Sequence, residues 1–157
     1  MAAYTYQYKV RGLQKAPAQV AGEVCEKLQN SPGGLTPKTL VEASRDKDAP
    51  LHGEFEWRDD VAAELYRENQ AGGIIRNIVI VSEEQDKPDR AFVSTPGRTG
   101  NYVALDAALN NAQWSAHLLE QAKSDMVAFL AKYRRVERLT KVNAAISDFL
   151  KTEAVAE

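Results

Sequence analysis

The feature that most limits how this chain can fold is an absence. Nine Gly and six Pro are spread through the sequence, yet none falls between Trp114 and Leu150. With neither helix breaker present, that stretch reads as helix throughout. Leu119, Ala122, Met126, Phe129, Tyr133 and Val136 step by alternating three and four residues, which makes a heptad-like apolar seam. The next two steps, to Leu139 and to Val142, are both three, and Ile146 and Phe149 then resume. The repeated three breaks the register, so one continuous coiled coil is not expected. Two helices joined by a bend at 134–139, or one helix that changes its packing partner, both satisfy the pattern. Residues 152–157 are expected to fray.

Composition sets the outer limits. The chain has 157 residues, 44% hydrophobic and 27% charged, which suits a single globular domain with an extension. The reading places a domain at 1–110 and a helical extension at 111–157 that packs on it or on another subunit. No apolar run approaches the roughly 20 residues that cross a bilayer, so no membrane partner is expected. The N-terminal Met-Ala-Ala-Tyr-Thr-Tyr has no apolar core of signal-peptide type. One Cys cannot build a disulfide framework, and with two isolated His it makes no zinc site. The pair Gly72-Gly73 lacks the spacing and the preceding strand of a phosphate loop, so no cofactor is implied.

Several elements are legible one by one. Tyr4, Tyr6, Tyr8 and Val10 alternate with polar residues and predict a half-buried strand. Pro17 suits a first helical turn, and Val20, Ala21, Val24 and Leu28 form a helical stripe with Cys25 beside it as a small core residue. Asn30 to Gly34 is a stop and turn. Thr36-Pro37 restarts a short helix that turns Leu40, Val41 and Ser44 inward. Leu51, Phe55 and Trp57 read as anchors of a connecting loop, with His52 structural. Asp59-Asp60 caps a third helix whose apolar face is Val61, Ala62, Leu65 and Tyr66. That helix either stops near Ala71 or runs on through the glycines and Ile74-Ile75. Strands at 77–82, 91–95 and 101–105 predict an antiparallel meander, and Asp106 a further helix cap.

The net charge of -2 hides an uneven distribution. Residues 51–75 carry six acids (Glu54, Glu56, Asp59, Asp60, Glu64, Glu68) against Arg58 and Arg67. Lys132, Arg134, Arg135, Arg138 and Lys141 stand against Glu137 alone. On one helix Arg134, Arg138 and Lys141 would share a face. The two regions of opposite sign could also pair with each other, within or between subunits.

Helix, turn, Thr-Pro-capped helix, connection, third helix and hairpin is the element order of a winged helix. The fold class predicted is therefore α+β and mainly helical: winged-helix-like helices, a short antiparallel meander, then a long C-terminal helix or helix pair. Arg98, between two glycines at the hairpin turn, would reach a minor groove or a phosphate. The third helix starts on acids that repel phosphates, so any DNA contact falls to Arg98 and to Lys132, Arg134, Arg135, Arg138 and Lys141. No His stands near a Ser or Cys in a nucleophile arrangement, and the sequence reads as non-enzymatic.

The stretch from Leu35 to Val81, with Thr36-Pro37, Ala49-Pro50-Leu51-His52, Phe55-Glu56-Trp57-Arg58-Asp59-Asp60, Ala62-Ala63 and Tyr66-Arg67, resembles a small family of phage- and prophage-encoded proteins of unassigned function. The resemblance implies a phage or prophage origin and action in the cytoplasm of a bacterial host, or in the virion. It brings no catalytic residues. Two expectations follow. One is a DNA-associated or regulatory protein with basic side chains on phosphates. The other is a structural or interaction protein that binds a host protein or self-associates through Leu119, Met126, Phe129 and Tyr133.

Overall fold

The computed structural model describes residues 4–58, 61–82, 87–97 and 100–156, with the backbone alone at 61 and 62. The fold is α+β and mainly helical. Two compact units divide the chain, one ending at Asn111 and the other running from Ala112. Asp59, Asp60, Arg98 and Thr99 lie outside the described residues, and so do the cap expected at Asp59-Asp60 and the DNA contact expected at Arg98.

In the first unit, strand β1 (Thr5–Tyr8) is followed by helix α1 (Ala18–Gln29). Tyr6 is buried against α1, and the approach is so close that a Cβ on Gly22 would overlap the Tyr6 ring. Ala21 and Cys25 complete the buried face of α1, while Val20, Val24 and Leu28 are half-buried. Val10 does not continue the tyrosine row: it is 49% exposed, because the strand ends at Tyr8. Asn77 holds the chain there, its Oδ1 accepting from Val10 N at 2.8 Å and its Nδ2 donating to Val10 O at 3.0 Å.

Helix α2 (Pro37–Ala43) starts as its sequence dictates. Thr36 Oγ1 accepts from Thr39 N at 3.0 Å, and Thr39 Oγ1 accepts from Thr36 N at 2.9 Å. Leu40, Val41 and Ser44 are all buried. Leu51 and Phe55 are buried around a 3₁₀ turn at His52–Glu54, and Glu54 Oε1 reaches back to accept from Lys15 N and Ala16 N ahead of α1.

Helix α3 (Val61–Asn77) passes straight through Gly72-Gly73. Tertiary packing outweighs the roughly 1 kcal/mol that each Gly costs a helix: Ala71, Ile74 and Ile75 are buried. Half of its expected apolar face is wrong, and the side chains of the other half, Val61 and Ala62, lie outside the described residues. Leu65 and Tyr66 are 62% and 57% exposed, and the inward position between them and Ala71 belongs to Arg67, at 2%. A long cation fits there because Trp57 offers its ring, 5.1 Å from the Arg67 guanidinium, and the Glu56 carbonyl accepts from Nη1 at 2.6 Å.

The expected single meander is two small sheets instead. β2 (Ile78–Val81) pairs antiparallel with β1 and with β3 (Asp89–Arg90). β4 (Phe92–Ser94) pairs with β5 (Tyr102–Ala104). The break between them is Ala91, which turns into the core and whose N donates to Ile78 O. Leu35 bridges Tyr102, so β5 is flanked by β4 on one side and a single bridge on the other. That is the strand order of a winged helix with its first strand reduced to one residue. Two features depart from that plan. Residues 44–58 belong to a long connection between α2 and α3, and β2 pairs with β1 instead of entering the hairpin. Helix α4 (Leu105–Leu109) is capped by Ala104, and Asp106 instead accepts from the Tyr4 hydroxyl at 2.7 Å.

The second unit is a helical hairpin. Helix α5 (Ala112–Tyr133) ends before a turn at 134–136, a 3₁₀ turn spans Glu137–Leu139, and helix α6 (Thr140–Val155) returns. The repeated three-residue step in the seam falls on this bend. Asn143 Nδ2 donates to the Tyr133 carbonyl at 3.3 Å, and Lys123 bridges Glu120 and Glu153 across the hairpin. No residue of α5 or α6 is buried.

Candidate nucleic-acid interface

The hairpin turn gathers one set of basic residues. Lys132 lies in the last turn of α5, Arg134 and Arg135 occupy the turn, Arg138 sits in the 3₁₀ turn and Lys141 lies in the first turn of α6. The expected common helical face of Arg134, Arg138 and Lys141 does not form, because the helix breaks between them. They surround a turn instead. All five are exposed, and among the described residues none joins an ion pair. The Lys132 ammonium lies 5.2 Å from the Tyr133 ring.

Two acids of the middle segment, Glu64 and Glu56, are ion-paired within their own unit. Arg67 and then Arg45 hold the Glu64 carboxyl below the usual carboxylate range, with Arg45 Nη2 at 2.8 Å and Arg67 Nη2 at 3.0 Å. Arg58 does the same for Glu56 at 2.9 Å. Of the acids expected to repel phosphate at the start of α3, Glu64 is thus offset, while Asp59 and Asp60 lie outside the described residues.

A second basic feature escaped the sequence. One outward row of the three-stranded sheet reads Gln7, Val79, Arg90, directly opposed across β1, β2 and β3. Lys9 and Arg11 follow β1, Arg76 comes from the end of α3, and Lys87 precedes β3. Together with Tyr8 and Pro88 they line a groove of about 800 Å³. Its five cations come from three separate stretches of chain, so no local run of charge announces them.

The four residues expected in self-association all lie on α5. Leu119 is 42% exposed, while Met126, Phe129 and Tyr133 are half-buried, the last two with rings 4.9 Å apart. His52 is structural: Nδ1 lies 3.0 Å from the Ser44 carbonyl, and the ring stacks on Trp57 at 4.9 Å. Cys25 is buried, and burial pushes its thiol up to about 12. Among the described residues no group of three or more His, Cys, Asp or Glu comes together to hold a metal ion, and no helix is long and apolar enough to cross a membrane.

No family model matches this chain. Neither a curated protein nor a solved structure matches it.

Proposed function

We propose that this is a non-enzymatic nucleic-acid-binding protein that holds the phosphate backbone of duplex DNA with the turn of its C-terminal hairpin. The observation that carries the reading is the set of five exposed cations, Lys132, Arg134, Arg135, Arg138 and Lys141, left without an acidic partner among the described residues. Elsewhere Arg45, Arg58, Arg67 and Lys123 are each matched to a carboxylate. Contacts of this kind give affinity without reading sequence. Arg98, outside the described residues, belongs to the same proposal by its sequence position between two glycines. The likeness of residues 35–81 to phage-encoded proteins supports action inside a bacterial host. A coding sequence lying outside any phage or prophage genome would remove that part.

The test is duplex affinity as a function of salt. Five phosphate contacts give a slope of log K against log salt near about -4.5, and Arg134→Ala, Arg135→Ala and Arg138→Ala together should reduce its size by about 2.7. Absence of binding at about 50 mM salt sinks the reading.

A second reading has its own support. A helical hairpin with no buried residue leaves apolar surface on both helices, including Leu119, Val127, Val142 and Phe149. Two such hairpins can bury it as a four-helix bundle. Light scattering at high micromolar concentration checks this, and a strict monomer removes it.

A further inference from the structure

We propose that the groove on the outer face of the β1–β2–β3 sheet is a binding site for a ligand carrying several adjacent phosphate groups. It is separate in sequence and in unit from the hairpin turn, so it stands or falls independently of the reading above.

The groove is built by strand alternation. Direct partners in an antiparallel sheet share a face, so Gln7, Val79 and Arg90 form one row, and Asp89 shares the opposite face with its partner Ile80. The single acid of β3 is thereby turned away from the five cations. Val79 is only 6% exposed although it lies outside the main core cluster. Lys9, Arg11, Arg76, Lys87 and Arg90 are all exposed, and their apolar stems supply the cover that an outward valine needs. Among the described residues no carboxylate lines the groove. Among the described residues the only partner recorded for these five side chains is the Tyr102 hydroxyl, 3.3 Å from Arg76 Nη1. The acids Glu83, Glu84 and Asp86 of the β2–β3 connection lie outside the described residues.

Five like charges around one concavity repel each other, and a compact polyanion relieves that cost. Three of the five are guanidinium groups, whose paired N–H donors match phosphate oxygens. Phosphates linked one after another bring that much negative charge into a groove of about 800 Å³. A peptide must space its carboxylates along an extended backbone. Phosphate groups in series occur in a free nucleotide polyphosphate and in a nucleic-acid backbone, and the experiment separates the two.

Inorganic tripolyphosphate is titrated into the full chain at about 50 mM salt by calorimetry. The same titration is run on the variant Lys9→Ala, Arg11→Ala, Arg90→Ala and on Arg134→Ala, Arg135→Ala, Arg138→Ala. All six side chains are exposed: the turn variant should keep the parent melting temperature, and the groove variant, which uncovers part of Val79, should lower it slightly while staying folded at the titration temperature. We expect the groove variant to lose at least tenfold in affinity and the turn variant to stay within about twofold. Displacement of tripolyphosphate by a short DNA duplex assigns the groove to nucleic acid; binding that a duplex does not displace assigns it to a free polyphosphate. No binding of tripolyphosphate, an unchanged affinity in the groove variant, or displacement by poly-glutamate as effective as by either phosphate source overturns the proposal. Failure of the hairpin-turn reading shows as loss of duplex binding with tripolyphosphate binding intact.

Discussion

Gly22→Ala sets two physical effects against each other. Gly22 lies in the middle of α1, where helix propensity favours Ala by about 1 kcal/mol. The structure predicts the opposite sign. The added methyl overlaps the ring of Tyr6, which is 6% exposed, so the ring must leave its place on α1. Moving it outward gives up roughly 1.5–3 kcal/mol, the figure for burying a side chain the size of Phe. It also loosens the stack with Phe92, 6.3 Å away, worth about 0.5–1.5 kcal/mol. The net loss is about 1–3.5 kcal/mol, and at about 4 °C per kcal/mol the melting temperature falls by roughly 4–14 °C. Near-ultraviolet circular dichroism during a thermal melt reads this directly, because Tyr6 and Phe92 contribute to the signal. In a Tyr6→Ala background the same substitution should stabilise by about 1 kcal/mol, since only the propensity effect remains. A melting temperature equal to or above the parent's, or the same sign in both backgrounds, refutes the reasoning.

Arg67→Ala strands the Glu56 carbonyl and removes the stack on Trp57, for a loss of about 2–4 kcal/mol by urea denaturation. Arg67→Lys should recover less than half of it, and full recovery would mean that charge alone matters at this position. Cys25 has a folded pKa raised by burial from 9.0 to about 12, so its contribution to stability is whole below about pH 9 and is lost as the pH rises toward 12. Tyr8, raised to about 12 first by burial and then by Glu54, adds to the same alkaline decline. Cys25→Ala should flatten that decline, and rapid labelling of the native thiol at neutral pH would show that it is not buried. Asn77→Ala leaves both backbone groups of Val10 without their side-chain partner and should destabilise the first unit by about 2 kcal/mol in the same urea assay. A change below about 0.5 kcal/mol would mean that water replaces the amide.

Local signals carried far, and long-range ones did not. The Thr36 cap, the buried set Leu40, Val41 and Ser44, and the anchors Leu51 and Phe55 were all legible, because each is settled by its own few neighbours. The seam on α5 showed where its register is lost, and of the two outcomes that allowed, a bend or a change of packing partner, the structure has the bend. The face of α3 was misread for a physical reason: apolar spacing makes Leu65 and Tyr66 look inward, and nothing in the sequence says that Trp57 will sit where it can stack on Arg67. The two sheets were misread as one because pairing of β2 with β1 joins residues far apart in the chain. The same long-range pairing explains the two basic features. The hairpin turn shows as a run of charge, but the groove exists only once β1, the end of α3 and β3 are brought side by side.

The placement of the two tryptophans makes the chain its own instrument. Trp57 lies in the first unit and Trp114 in the second. Trp114→Phe leaves a single tryptophan, ringed by His52, Phe55 and Arg67 in the first unit, and Trp57→Phe leaves one on α5 in the second. Overlaying the two emission curves against denaturant asks whether the halves melt cooperatively or as separate transitions. Every ligand added in the tests above then reports, by the colour of the light it shifts, which half it has steadied.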